Sequence, residues 1–279
     1  MNKTILLLLV ILQLATTPSQ AQTTARPAGA QTTAILGAYG EEITLLLNAV
    51  ENKKEIVIDH LHFTEGTLNG RKVVVALTGI GKVNAAITTT LVIDHFHPAE
   101  VLFSGIAGGV DPALSPGDLV IGNRLAYHDF GTLTDDSLKP DATRDPATTK
   151  KNPQYFPCND TLVNIAENVS RHLALEKPIE GRPAPRIVTG AIVTGDVFVT
   201  SRSATRRFWQ DMQAEATDME GAAVAQTCWQ QGVPFIVIRS LSDAADGEAE
   251  KDIARFYRAA AHNAAMLVIA ITGELAHKR

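Results

Sequence analysis

The sequence is poor in cysteine, in aromatic side chains and in charge. Its 279 residues include two Cys, 5% aromatics and 20% charged residues. Two thiols cannot build a disulfide framework. Cys158 in "YFPCND" and Cys228 in "AVAQTCWQQ" leave two alternatives, one bridge or two free thiols. With few rings available, a core must be built from Ala, Val, Ile and Leu. A net charge of −5 without any long basic run argues against broad binding to nucleic acid or to an anionic membrane surface. No cysteine or carboxylate cluster of ligand spacing accompanies His60/His62 or His95/His97, so these read as surface histidines and no metal site is expected. The expected partner is a small molecule.

One long apolar run is present, at the start. "MNK" is a short cationic opening, "TILLLLVILQLA" follows, and Ser19 and Ala21 stand at the small-residue positions of a cleavage site. This pattern predicts a signal peptide over residues 1–21, and the run is short for a span of roughly 20 residues. No later segment reads as long and apolar enough to cross a bilayer. The expected location is therefore periplasmic or secreted, with no membrane attachment after cleavage. Residues 22–33, small and polar with Pro and Gly, read as a disordered leader, and 34–279 as a single domain.

Within that domain, strand-like and helix-like patterns alternate. "KVVVALTG", "EVLFSG", "RIVTGAIVTG" and "PFIVI" are runs of the buried-strand type. "YGEEITLLLNAV", "GKVNAAITTTLVIDHF" and "EGAAVAQTCWQQ" have helical spacing, as does a long closing segment with Ile253, Phe256, Tyr257, Ala260, Ala264 and Leu267 on one face. Alternation of this kind predicts an α/β sandwich around a largely parallel sheet. The one long irregular stretch is 131–157, which is polar and carries four prolines.

Several motifs fail on inspection. "TGIGK" (residues 78–82) lacks the earlier Gly and the Ser or Thr after Lys that a phosphate loop requires. "GAYGEE" and "SGIAGGV" are glycine-rich turns without dinucleotide-binding spacing. The acids are more informative in combination. Glu42 follows the first strand, Glu220 follows "EATDM", and Asp243 follows "PFIVIRS". Singly, each has a structural explanation in a helix first turn or a strand cap. In a parallel sheet all three would meet at the strand carboxyl ends, with Arg239 and the bare "GIAGG" backbone. Carboxylates there suit a neutral, hydroxyl-rich ligand.

In order along the chain, "ILGAYGEEI", "TGIGKVNAA", "SGIAGGV", "GDLVI", "TGDVFV", "TDMEGAAVA" and "IRSLSDAAD" resemble the nucleoside phosphorylase/hydrolase superfamily, and most nearly the 5′-methylthioadenosine/S-adenosylhomocysteine nucleosidases. The resemblance implies a three-layer αβα sandwich with a twisted mixed sheet, a homodimer, no cofactor, and hydrolysis of an N-ribosidic bond in an adenine nucleoside. It implies Asp243 as the acid that protonates the base and Glu42 as the group that activates water. Glu220 would hold the ribose hydroxyls, Met219 would pack on the sugar, and Arg239 would organise Glu220. Phe198 would stack on the base and the Val199 backbone would read its edge. The backbone of Ile106, Ala107 and Gly108, with Ser242, completes the implied substrate contacts. The chain departs from the family at Ile106, where Ser is usual, and at Tyr39 and Gly40. Two rival functions remain open on sequence: a phosphate-dependent purine nucleoside phosphorylase and a non-catalytic nucleoside-binding or storage protein.

Overall fold

The computed structural model describes residues 31–135, 137–178, 181 and 183–277. The expected signal peptide, and the leader as far as residue 30, lie outside them. The first strand, β1 (Thr32–Gly37), starts two residues before the expected domain boundary at 34. The reason is a polar anchor that hydropathy does not register. Thr33 is fully buried, and its hydroxyl donates to the Glu100 carboxylate.

After β1 come α1 (Gly40–Ala49), β2 (Glu51–Ile58), β3 (Leu61–Leu68), β4 (Arg71–Leu77), α2 (Lys82–Phe96), β5 (Glu100–Gly109) and β6 (Leu119–Tyr127). A small hairpin follows, β7 (Gly131–Leu133) and β8 (Leu138–Pro140), then β9 (Phe156–Pro157) and α3 (Asp160–Ser170). The chain continues through β10 (Ile187–Thr194), α4 (Arg202–Met212), β11 (Ala214–Asp218), α5 (Gly221–Gln231), β12 (Phe235–Asp243) and α6 (Ala249–His277). The stretch 131–157 is thus not wholly irregular. It holds the β7–β8 hairpin and a short strand paired with β6.

Strand alternation divides the core into layers. Ala34 and Leu36 of β1 face a cluster with Val92 of α2 and Val224 of α5. Ile35, between them, faces the opposite cluster with Leu46 of α1, Ile165 of α3 and Leu267 of α6. This is the expected αβα sandwich. By length and composition α6 could cross a bilayer, contrary to the expectation for the segments after residue 21. Its apolar face is instead buried in the second cluster.

The sheet is mixed rather than largely parallel. Its order is β11-β10-β6-β12-β5-β1-β4-β3-β2. β5 is parallel to β1 and β12, whereas β6 runs antiparallel to β12. β11 pairs parallel with β10 and also antiparallel with β5, matching Thr217 to Gly108. Five strands therefore close into a ring. That closure, rather than a shared strand direction, brings the end of β11 against the carboxyl end of β5.

Candidate active site

Glu42 is placed by its own helix. It lies in the first turn of α1, where its carboxylate folds back over the helix start. Its Oε2 accepts from the N–H groups of Ala38 (2.6 Å) and Tyr39 (2.9 Å), and its Oε1 from that of Ile106 in β5 (3.1 Å). Helix N-termini favour such a charge. Burial nevertheless dominates and raises the pKa, against the opposing pull of the Arg239 guanidinium and the three N–H groups.

Arg239, in β12, is 1% exposed, and its guanidinium lies over the Phe103 ring at 4.1 Å. Its Nε donates to Asp218 Oδ2 at 2.9 Å. The expected partner was Glu220, which corrects to Asp218. Asp218 ends β11 and is turned into the sheet, where Thr194 Oγ1 (2.5 Å) and the Gly221 N–H also donate to it. Glu220, two residues on, stands at the N-cap of α5 and is turned away, accepting at Oε1 from the Gly81 N–H (2.8 Å). Burial, then the neighbouring Asp218 charge, pushes the Glu220 carboxyl up to about 7, with Arg239 opposing. Between Arg239 and Glu42 lies Gly105. A Cβ there would fall 2.8 Å from Arg239 Nη1 and 3.0 Å from Glu42 Oε1.

Asp243 is the last residue of β12 and is 2% exposed. The Ser242 hydroxyl donates to its Oδ2 (2.7 Å) and the Ala245 N–H to its Oδ1 (2.8 Å). Those contacts favour the ionised form, but burial outweighs them and raises the pKa. A solvated turn residue would experience no such desolvation.

These groups surround one cleft of about 590 Å³. Glu42, Glu220, Asp243, Met219, Phe198, Ile106, Ala107, Gly108 and Ser242 all line it, as expected. Two expected residues do not. Arg239 sits behind the wall, bonded to Asp218 and separated from Glu42 by Gly105. Val199 lines an adjoining groove with His128 and Phe208, a groove that Phe198 borders as well. Several wall residues escaped the sequence reading: Tyr39, Ile80, Thr217, Ile253 and Tyr257. Tyr39 and Tyr257 meet edge to face at 5.7 Å, and Tyr257 Oη donates to Glu41 Oε2 (3.1 Å). Thr217 Oγ1 is buried without a hydrogen-bond partner. The helical spacing of Ile253 and Tyr257 had marked them as core-facing, and the same face opens onto the cleft.

Elsewhere, His60, His62, His95 and His97 are exposed. Cys158 and Cys228 are free thiols, both buried, which pushes the Cys158 thiol up to about 12. Buried thiols of this kind are poor nucleophiles.

The pattern of the phosphorylase superfamily matches residues 32–272. A 5′-methylthioadenosine/S-adenosylhomocysteine nucleosidase of Geobacillus sp. (strain WCH70) is 37% identical over 244 residues, 87% of this chain and 98% of that protein. The crystal structure of the enzyme of that name from Neisseria meningitidis, in complex with methylthio-immucillin-A, is 35% identical. It has a TM-score of 0.76, covering 88% of this chain and 99% of that one. A futalosine hydrolase of Helicobacter pylori is 32% identical with a TM-score of 0.74, covering 88% and 98%. On this match of pattern, sequence and fold, the chain belongs to the phosphorylase superfamily and, within it, to the family of the 5′-methylthioadenosine/S-adenosylhomocysteine nucleosidases.

Proposed function

We infer that the protein hydrolyses the N-ribosidic bond of adenine nucleosides of the 5′-methylthioadenosine/S-adenosylhomocysteine type, with Asp243 as acid and Glu42 as base. The observation that carries this reading is the charge of the cleft. Four carboxylates line it, Glu42, Asp218, Glu220 and Asp243, and among the described lining residues there is no Lys, Arg or His. Breaking the bond between ribose C1′ and the base leaves positive charge on the sugar, which carboxylates in a dry site stabilise strongly. Adenine is a poor leaving group as an anion, so a proton passes from the Asp243 carboxyl to the base nitrogen. Burial raises the Asp243 pKa above the ordinary carboxylate range, which favours the protonated acid that this step requires. Water then attacks C1′ and gives its proton to Glu42, whose three backbone donors fix the direction of the carboxylate. Glu220 has one oxygen on Gly81 and holds the ribose hydroxyls with the other.

The same charge argues against phosphorolysis. An attacking phosphate needs cationic or hydroxyl donors. The end of β5 beside Glu42 offers Ile106, and Arg239 is taken by Asp218. The test is release of the free base from a panel of 5′-methylthioadenosine, S-adenosylhomocysteine, 5′-deoxyadenosine, adenosine and inosine, with and without phosphate. Free ribose products at equal rates in both conditions are expected. Phosphate-dependent release of ribose 1-phosphate would overturn the hydrolase reading, and binding without release would favour the storage-type one.

The protein acts as an exported homodimer. The N-terminal pattern of residues 1–21 supports export. Exposed Ile80, in the turn before α2, and Val83 and Ile87 on α2, at 51%, 69% and 49%, form an apolar stripe that begins at the cleft wall and supports dimerisation. Native mass spectrometry of protein recovered from the host reads both. The expected particle is twice the chain mass after loss of residues 1–21, and a full-length monomer would refute both points.

A further inference from the structure

The turn "TGIGK" between β4 and α2 carries a lysine to which the chemistry above gives no role. Lys82 does not face an open anion site. Its Nζ lies 2.7 and 2.6 Å from the two carboxylate oxygens of Asp129 and 3.6 Å from Asp196 Oδ2. The backbone of the turn is tied to the same acids. The Lys82 N–H donates to Asp196 Oδ1 (2.8 Å), and the Asp196 N–H donates to Asp129 Oδ2 (2.8 Å). Three segments therefore meet on one ammonium: the start of α2, the chain just beyond β6 and the turn after β10. The Lys82 and Asp129 side chains are only 22% and 21% exposed, so their attraction is screened less than that of a surface pair.

Two of the three segments build the cleft. Gly81, immediately before Lys82, gives its N–H to Glu220. Phe198, two residues after Asp196, forms part of the wall. Gly81 holds a φ of +95°, in the region that favours glycine, and this turn geometry aims successive N–H groups at two different carboxylates. We propose that Lys82 is a positioning residue for ribose recognition. Its single positive charge bridges Asp129 and Asp196 and so holds the 80–82 turn where the Gly81 N–H fixes the Glu220 carboxylate, with Phe198 secured alongside. Without the ammonium, two like charges joined through the Asp196 N–H repel each other, and the turn they hold moves off Glu220. The inference rests on Glu220 being the acceptor for the ribose hydroxyls.

The test compares 5′-methylthioadenosine with its 2′-deoxy and 3′-deoxy analogues in the wild type, K82M, K82R, D196N and E220Q. K82M is expected to raise KM for the ribonucleoside about tenfold or more with little change in kcat, the size of one lost charge-assisted contact made equally in ground and transition states. The deoxy analogue that lacks the contacted hydroxyl should lose far less, so the preference for ribose falls. K82R should restore most of that preference, and K82M/E220Q should be no worse than E220Q alone. Equal losses on all three substrates, or unchanged kinetics, would overturn the proposal. Should K82M not fold, K82Q carries the same test, with selective loss expected and uniform loss overturning it, while D196N, which keeps an acceptor for the Lys82 N–H and removes one of the two like charges, should keep most of the ribose preference. If E220Q itself leaves the ribose preference unchanged, the reading of Glu220 fails first and this proposal with it. If E220Q abolishes the preference and K82M does not, only the role of Lys82 fails.

Discussion

Arg71 and Arg239 are both buried arginines paired with a carboxylate, and they lie near opposite ends of the central strands. Around Arg71 every group is answered by another. Its Nη2 lies 2.7 Å from Glu100 Oε1, its Nε donates to Thr33 Oγ1 (2.9 Å), and its Nη1 donates to the Leu275 carbonyl near the end of α6 (3.0 Å). Thr33 closes the circuit to Glu100. None of these residues lines the cleft. Around Arg239 the pairing with Asp218 is equally tight, but Glu42 and Glu220 stand beside it and line an open cleft. Buried charge therefore does not by itself mark a working site. The mark is carboxylates that border a cavity and are only partly satisfied by the protein.

The comparison can be broken most sharply at the cleft end. Asp243→Asn and Glu42→Gln should each lower kcat by a factor of about 10²–10⁴, with circular dichroism unchanged. Near-normal adenine release by either variant would remove it from the chemistry. The two arginines come next. Removing one partner of a buried pair typically costs about 3–5 kcal/mol. Arg71→Met should show that loss in urea unfolding while the folded fraction keeps its kcat/KM. Arg239→Met should lose stability and activity together. Loss of turnover in folded Arg71→Met would erase the distinction between the two ends. The smallest effect is one of pH. Glu220 has a higher pKa in the folded chain, about 7, than the ordinary 4.5, so the native state holds a proton that the unfolded chain releases. The stability contributed is full below about pH 4.5 and is lost as pH rises through about 7. Glu220→Gln should flatten the fall in Tm between about pH 5 and pH 8 by a few degrees. An unchanged slope in Glu220→Gln would place the proton elsewhere.

Much of the cleft was legible in the sequence because its acids sit at element boundaries. Glu42 opens a helix, Asp243 closes a strand, and glycine-rich stretches mark where backbone comes close. What stayed hidden depended on side-chain direction. "TDMEG" presents two acids two residues apart, and the resemblance implied Glu220 as the partner of Arg239. The strand end turns Asp218 inward and the N-cap turns Glu220 toward Gly81. Val199 borders only the adjoining groove, whereas Phe198 borders both. The ring closure through β5 and β11 was hidden too, since the pairing of distant strands leaves no local period. The β7–β8 hairpin lacks the alternating apolar pattern that announces a strand, and its β7 residues are all exposed.

Gly105 gives the site a strict tolerance. One hydrogen is all that this position places between a guanidinium and the Glu42 carboxylate. Even a methyl there would press on both at 2.8 and 3.0 Å, and neither can retreat, since each is already held by its own hydrogen bonds. The smallest possible enlargement of this residue would thus reach the Glu42 carboxylate without altering a single ionisable side chain.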